Sequence, residues 1–178
     1  VEGEKAPLLV TVQHLFGPKG GLKKAVPRDQ MADFVQKVRL RDLVKGSIPA
    51  TKITPIAVPA SLDLAVFRAA PEVKAKPRPL AKENPKQGDV VWLVAALEGK
   101  GKNQILHRAA VIEVQKELFL CKFDDGNLNT RGASGAPYVN AAGEVVGVHV
   151  GSTKQPDTVA GAIPVEALRK VIQSAPAR

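Results

Sequence analysis

Apolar residues along this chain fall in short runs with a period near two, the signature of strands and not of long helices. Ala6 to Val12 and Leu62 to Phe67 each read as a strand. Phe34 to Arg41 alternates apolar and polar positions, which predicts a half-buried strand. Ile53 to Val58 is β-branched between prolines and predicts an edge strand, since proline offers no ladder donor. Asp89 to Leu97 is almost continuously apolar and predicts a buried strand. Arg108 to Gln115 and Leu118 to Phe123 follow as two more. Pro137 to Val139 and Glu144 to Val150 flank a tight turn at Asn140 to Gly143, and Val159 to Ile163 ends the series. Only after Pro164 does the period change. Val165, Leu168, Val171 and Ile172 recur at helical spacing, so a C-terminal helix is expected to start at Pro164.

One stretch has no period. Pro71 to Gly88 carries Pro71, Pro77, Pro79 and Pro85 among charged residues and reads as a linker. It divides the chain into 1–70, the linker 71–88, a second β unit 89–163, and a helix with its tail, 164–178. An all-β chain of 178 residues is long enough for one large domain or two small barrels and can bury a core.

Composition narrows the classes. Hydrophobic residues make up 44%, and no apolar run approaches the length of a membrane span, so no membrane partner is expected. Cys121 is the single cysteine, which excludes an intramolecular disulfide. No three ligand-type residues have metal-site spacing, and no phosphate-cradling glycine loop precedes a Lys-Ser/Thr pair, so neither metal nor cofactor is expected. Net charge is +9, with basic residues gathered in Lys19 to Lys24 and Lys74 to Lys86. Solvated loops explain most such clusters. Attraction to acidic polymers or acidic peptides is the sharper reading. No aromatic residues interleave with these lysines, so specific nucleic-acid binding has no stacking platform.

The segment Arg131-Gly132-Ala133-Ser134-Gly135-Ala136-Pro137 carries the candidate chemistry. A serine hydroxyl needs a base to take its proton and amide donors aimed at the developing oxyanion. Flanking glycines permit the backbone angles that turn successive N–H groups to one point. An ordinary turn before a strand explains the same residues about as well. The candidate bases are His14, after the first strand, His107, near a strand start, and His149, in the strand after Gly143. Asp63 is an acid in an apolar segment, costly to bury without a partner.

Taken together these segments resemble the trypsin/chymotrypsin-like serine proteases, and in particular the bacterial trypsin-like, glutamyl endopeptidase and Deg-type domains. Thr11-Val12-Gln13-His14 resembles their Thr-Ala-Ala-His, and Asp63-Leu64-Ala65-Val66 their Asp-Ile/Leu-Ala-Leu/Val. Gly132 to Pro137 resembles Gly-Asp-Ser-Gly-Gly-Pro. The order His, Asp, Ser is the one found in chymotrypsin. Ala160-Gly161-Ala162-Ile163-Pro164 resembles the end of Deg-type domains.

The resemblance implies a chymotrypsin-like double β-barrel with a C-terminal helix, acting on protein or peptide substrates. Ser134 would be the nucleophile, His14 the general base and Asp63 the group that orients it. Gly132 and Ser134 would supply the oxyanion hole. Val150, Gly151 and Ser152 would pair with substrate as an added strand. His149 would line the primary specificity pocket opposite Asn129 or Thr130, and with them favour Glu or Gln at P1. A secreted or periplasmic setting is implied. The first barrel is expected to lack the strands that precede the histidine in this family, and Asp29 or Asp33 competes with Asp63 as the acid. The competing classes are a catalytically silent trypsin-like scaffold and a basic nucleic-acid-binding β protein.

Overall fold

The computed structural model describes residues 7–38, 41–42, 46–47, 51–70, 73, 77–101, 103–153 and 157–174. The chain divides into two compact units, Val1–Val58 with Leu64–Pro77, and Pro59–Asp63 with Arg78–Arg178. Each is built of strands.

The first unit contains β1 (Leu8–Thr11), helix α1 (Met31–Phe34), β2 (Lys37–Val38), β3 (Arg41–Asp42), β4 (Gly46–Ser47), β5 (Thr51–Ile56) and β6 (Ala65–Ala69). β1, β6, β5 and β2 form an open, antiparallel, four-stranded sheet in that order. Its core is Val26, Met31, Ile53, Ala65 and Phe67, with Leu9, Phe16, Val35 and Val38 against it. Phe16 meets Phe67 edge-on at 5.5 Å.

Several expectations for this unit are corrected. Phe34 to Arg41 is not one strand. Phe34 ends α1, where Val35 N–H bonds Met31 O, and is 64% exposed. The local i→i−4 bond takes the residues that alternation assigned to a ladder. The strand over Ile53 to Val58 begins earlier, at Thr51, and stops at Ile56; β2 covers only its start, at Thr51 and Lys52. Pro55 pairs with β6 alone, so this half is an edge, where the missing N–H is tolerated. The Leu62 to Phe67 strand starts only at Ala65. Asp63 therefore precedes it, after the turn closed by Leu62 N–H to Pro59 O.

The second unit is a closed barrel of β7 (Val90–Val94), β8 (Leu106–Val114), β9 (Phe119–Phe123), β10 (Pro137–Val139), β11 (Val145–Thr153) and β12 (Val159–Pro164), in the order β10-β11-β12-β9-β8-β7. Closure leaves no long sheet edge to protect. Alternation along β7 and β9 sends Val91, Leu93, Phe119, Cys121 and Phe123 inward, where they pack with Leu128 and Tyr138. Burying each large apolar side chain contributes about 2 kcal/mol. Tyr138 lies between Phe119 and Phe123, at centroid distances of 5.7 and 6.4 Å. β7 is shorter than the apolar run Asp89 to Leu97 suggested.

Helix α2 (Val165–Ser174) buries Val165, Ala167, Leu168 and Val171. Pro164 ends β12 opposite Gly147 instead of opening the helix. Of the proline-rich stretch, 71–72 and 74–76 lie outside the described residues. From Pro79 onward the chain is bound to the barrel: Val145 N–H bonds Pro79 O, and Ala81 N–H bonds Val145 O. The fold is all-β, of the chymotrypsin-like double-barrel class, with the first barrel present as an open sheet among the described residues.

Candidate active site

The glycine-rich serine segment is two turns placed end to end. Ala133 N–H bonds Thr130 O at 3.0 Å, and Ala136 N–H bonds Ala133 O at 2.9 Å. Gly132 and Gly135 occupy the third position of each turn with φ of +85° and +87°. That left-handed angle is what a type II turn requires there, so the glycines are conformationally needed. Ser134 sits between them, half-buried.

β11 fixes this loop from the side. Gly135 N–H donates to His149 O at 2.9 Å, and His149 N–H donates to Ala136 O at 2.8 Å. Ser134 Oγ lies 3.4 Å from Val150 O. The β11–β12 register shifts between His149 and Gly151, a bulge at Val150. Bulges re-aim side chains, and they are common beside functional sites. Beyond the bulge Gly151, Ser152 and Thr153 pair with β12 on one side, while β10 stops at the level of Val148 on the other.

Thr130 is buried, and its Oγ1 lies 2.6 Å from Ser152 Oγ, linking the serine loop to β11. Asn129 Oδ1 instead accepts from Arg131 N–H at 3.2 Å and stiffens the loop. His149 is 1% exposed. Its Nδ1 is 3.1 Å from Tyr138 Oη, and the rings are 5.8 Å apart. Tyr138 also hydrogen-bonds the buried Cys121 thiol. Burial pushes Cys121 up to about 11, opposed by its bond to Tyr138. Burial likewise pushes the Tyr138 hydroxyl well above 10, helped by the Cys121 charge and bond. Both groups hold their protons at neutral pH.

In the first unit, His14 lies half-buried in a single 3-10 turn, Gln13–Phe16, directly after β1. Val26 N–H bonds Phe16 O at 2.7 Å, and Gln13 Nε2 bonds Val26 O at 3.3 Å. Asp29 and Asp33 are exposed, whereas Asp63 is half-buried. Arg28 Nη1 donates to Leu64 O at 2.8 Å, next to Asp63 in the chain. His14 belongs to the first compact unit, while Asp63 and Ser134 belong to the second. His107 is a buried structural residue whose Nε2 lies 3.0 Å from Ala95 O.

A family model for the trypsin-like peptidase domain matches residues 1–148, most of the chain. The chain belongs to the trypsin-like peptidase family. No curated protein matches it. Among solved structures this trypsin-like domain is similar to the serine endoprotease from Yersinia pestis, with a TM-score of 0.64 at 19% identity, over 97% of this chain and 54% of that one. It is also similar to Deg5, with a TM-score of 0.63 at 19% identity, over 95% of this chain and 78% of that one. At such identity the likeness concerns the fold. The chain spans about half the length of the Yersinia protein.

Within this trypsin-like framework, sequence reasoning missed Tyr138. It is the only tyrosine in the chain and follows Ser134 by four positions, on an alternating strand that sends it inward. It missed Arg28 altogether, since a lone arginine in a loop carries no signal for the carbonyl it will meet.

Proposed function

We propose that this domain is a serine endopeptidase working through an acyl-enzyme. Ser134 attacks the scissile carbonyl. His14 takes its proton and later gives it to the leaving amine, and Asp63 orients the imidazole and stabilises its charged form. Gly132 and Ser134 N–H groups serve the oxyanion. The observation that carries the reading is the double turn around Ser134, with obligatory glycines at 132 and 135, bound to β11 through His149. A plain turn before a strand has no need of the second glycine or of the pinned register. The substrate backbone adds as a strand along Val150, Gly151 and Ser152, whose ladder on that side ends with β10.

The P1 pocket, in this reading, prefers Glu or Gln. Tyr138 Oη lies 3.1 Å from His149 Nδ1; in this reading its hydroxyl donates there and leaves the imidazole proton on Nε2. That N–H suits a carboxylate or amide oxygen, and the Thr130 and Ser152 hydroxyls, bonded to each other at 2.6 Å, are the further partners in this reading.

Fluorophosphonate labelling tests the chemistry. The wild-type chain is expected to label at Ser134, and the Ser134→Ala and His14→Ala variants to lose peptidase activity by at least about a thousandfold. An unlabelled, folded wild type returns the domain to the silent-scaffold reading. Cleavage after Glu, Gln, Lys, Phe and Leu tests the pocket; equal rates after all five remove the P1 assignment.

A further inference from the structure

The loop that follows His14 carries a charge that the mechanism does not use. Gly17 to Ala25 is closed at its base by Val26 N–H to Phe16 O and Gln13 Nε2 to Val26 O. Inside it Gly20 N–H and Leu22 N–H both bond Gly17 O, at 2.9 and 3.1 Å. Gly21 takes a φ of +90°. Gly20 packs so tightly that a Cβ there would collide with the carbonyl of Leu15, the residue beside His14. The loop is therefore a pre-formed platform fixed against the His14 turn, not a loose tail.

Lys19, Lys23 and Lys24 are exposed on it, around Leu22, which is 44% exposed. Among the described residues none of the three is ion-paired. In the second unit Lys86, Lys100, Arg108 and Lys122 pair with Glu83, Asp125, Asp124 and Asp157. Three uncompensated positive charges around an exposed leucine fit an acidic peptide with an apolar residue. A nucleic acid fits less well. The loop holds no aromatic side chain, and the neighbouring Phe16 packs against Phe67 in the core, so bases have nothing to stack on.

We propose that the loop is an exosite for acidic residues of the substrate, on the C-terminal side of the scissile bond. The side follows from chemistry: the general base that returns a proton to the leaving amine must face that half of the substrate. This assignment of side rests on the protease reading; the acidic-peptide surface itself does not.

Binding separates the two. Full-length Ser134→Ala is titrated, by fluorescence anisotropy, with a labelled acidic decapeptide, its Asn/Gln counterpart and a single-stranded oligonucleotide of equal charge. The acidic peptide should bind at least about tenfold tighter than its neutral counterpart at low salt, and the gap should close at about 0.3 M salt. The combined Lys19→Ala, Lys23→Ala and Lys24→Ala change should abolish the gap, and the three Glu replacements should reverse it in favour of a basic peptide. Circular dichroism checks that each variant is folded. A gap that survives the alanine changes, or tighter binding of the oligonucleotide, overturns the exosite. In wild type, acidic residues should raise kcat/KM only when placed after the scissile bond, and an equal effect before it overturns the assigned side. Loss of labelling at Ser134 with intact peptide binding would instead count against the protease reading alone.

Discussion

Tyr138 ties three buried polar groups into one chain, so a single oxygen bears on the stability of the barrel and, in the proposed reading, on the polarity of the P1 pocket. Tyr138→Phe keeps the ring between Phe119 and Phe123 but takes the hydroxyl away from His149 Nδ1 and Cys121. The expected cost is about 1–3 kcal/mol, the range for a buried polar group that loses its partner. If Tyr138 fixes the tautomer of His149, selectivity for Gln and Glu over Leu at P1 should also fall by about tenfold or more, with kcat/KM for Leu little changed. A urea midpoint that drops while selectivity stays intact would leave Tyr138 a packing residue. At this scale the sequence pointed to Ser134, His14, Asp63 and His149 through motif and order. It was silent on Tyr138 and Arg28, whose roles exist only because distant backbone meets them.

The element that most depends on its neighbours is the stretch from Pro79 to Asn84. It looks like a solvated linker in sequence because prolines and charges erase any period. Its bonds go to β11 and α2. Arg169 Nη1 donates to Lys82 O at 2.9 Å, and Nη2 donates to Ala81 O. Asn84 Oδ1 accepts from Glu166 N–H at 2.9 Å and so caps the first turn of α2. Arg169→Ala should therefore cost about 1 kcal/mol, a modest value because the side chain is partly exposed. It should also speed nicking of the 79–84 segment by an added protease under native conditions. An unchanged nicking rate would mean that the β11 bonds alone hold the segment. In β5 the residue pattern and the pairing agree: β2 covers only Thr51 and Lys52, and the half that holds Pro55 is left as an edge.

For the molecule as a whole, the buried thiol and phenol of the second barrel set an alkaline limit on stability. Cys121 rises from an ordinary 9.0 to about 11, because the barrel interior disfavours the thiolate. Between those values the unfolded chain loses the proton first, so the native state binds more protons and stability falls as pH rises. The contribution is complete below about pH 9 and is lost as pH passes about 11, amounting to about 3 kcal/mol. Tyr138 acts in the same direction from about pH 10 upward. Urea midpoints measured from pH 8 to pH 11 should decline, and Cys121→Ala should flatten the early part of that decline. A wild-type midpoint constant across the window would contradict the assignment.

By itself the sequence determined the strand-rich class, the strand segments of the second barrel, the C-terminal helix and the glycine-framed serine. These are local properties: a period of two, a positive φ at a turn, an apolar stripe. Tertiary structure alone decided that the second barrel closes and that β2 covers the start of β5. It alone joined His149 to Tyr138 and Cys121 in one buried chain, and pinned the lysine loop to the turn of His14. Those facts come from hydrogen bonds and packing between residues far apart in the chain, whose energy depends on where two backbones meet and on no pattern within either.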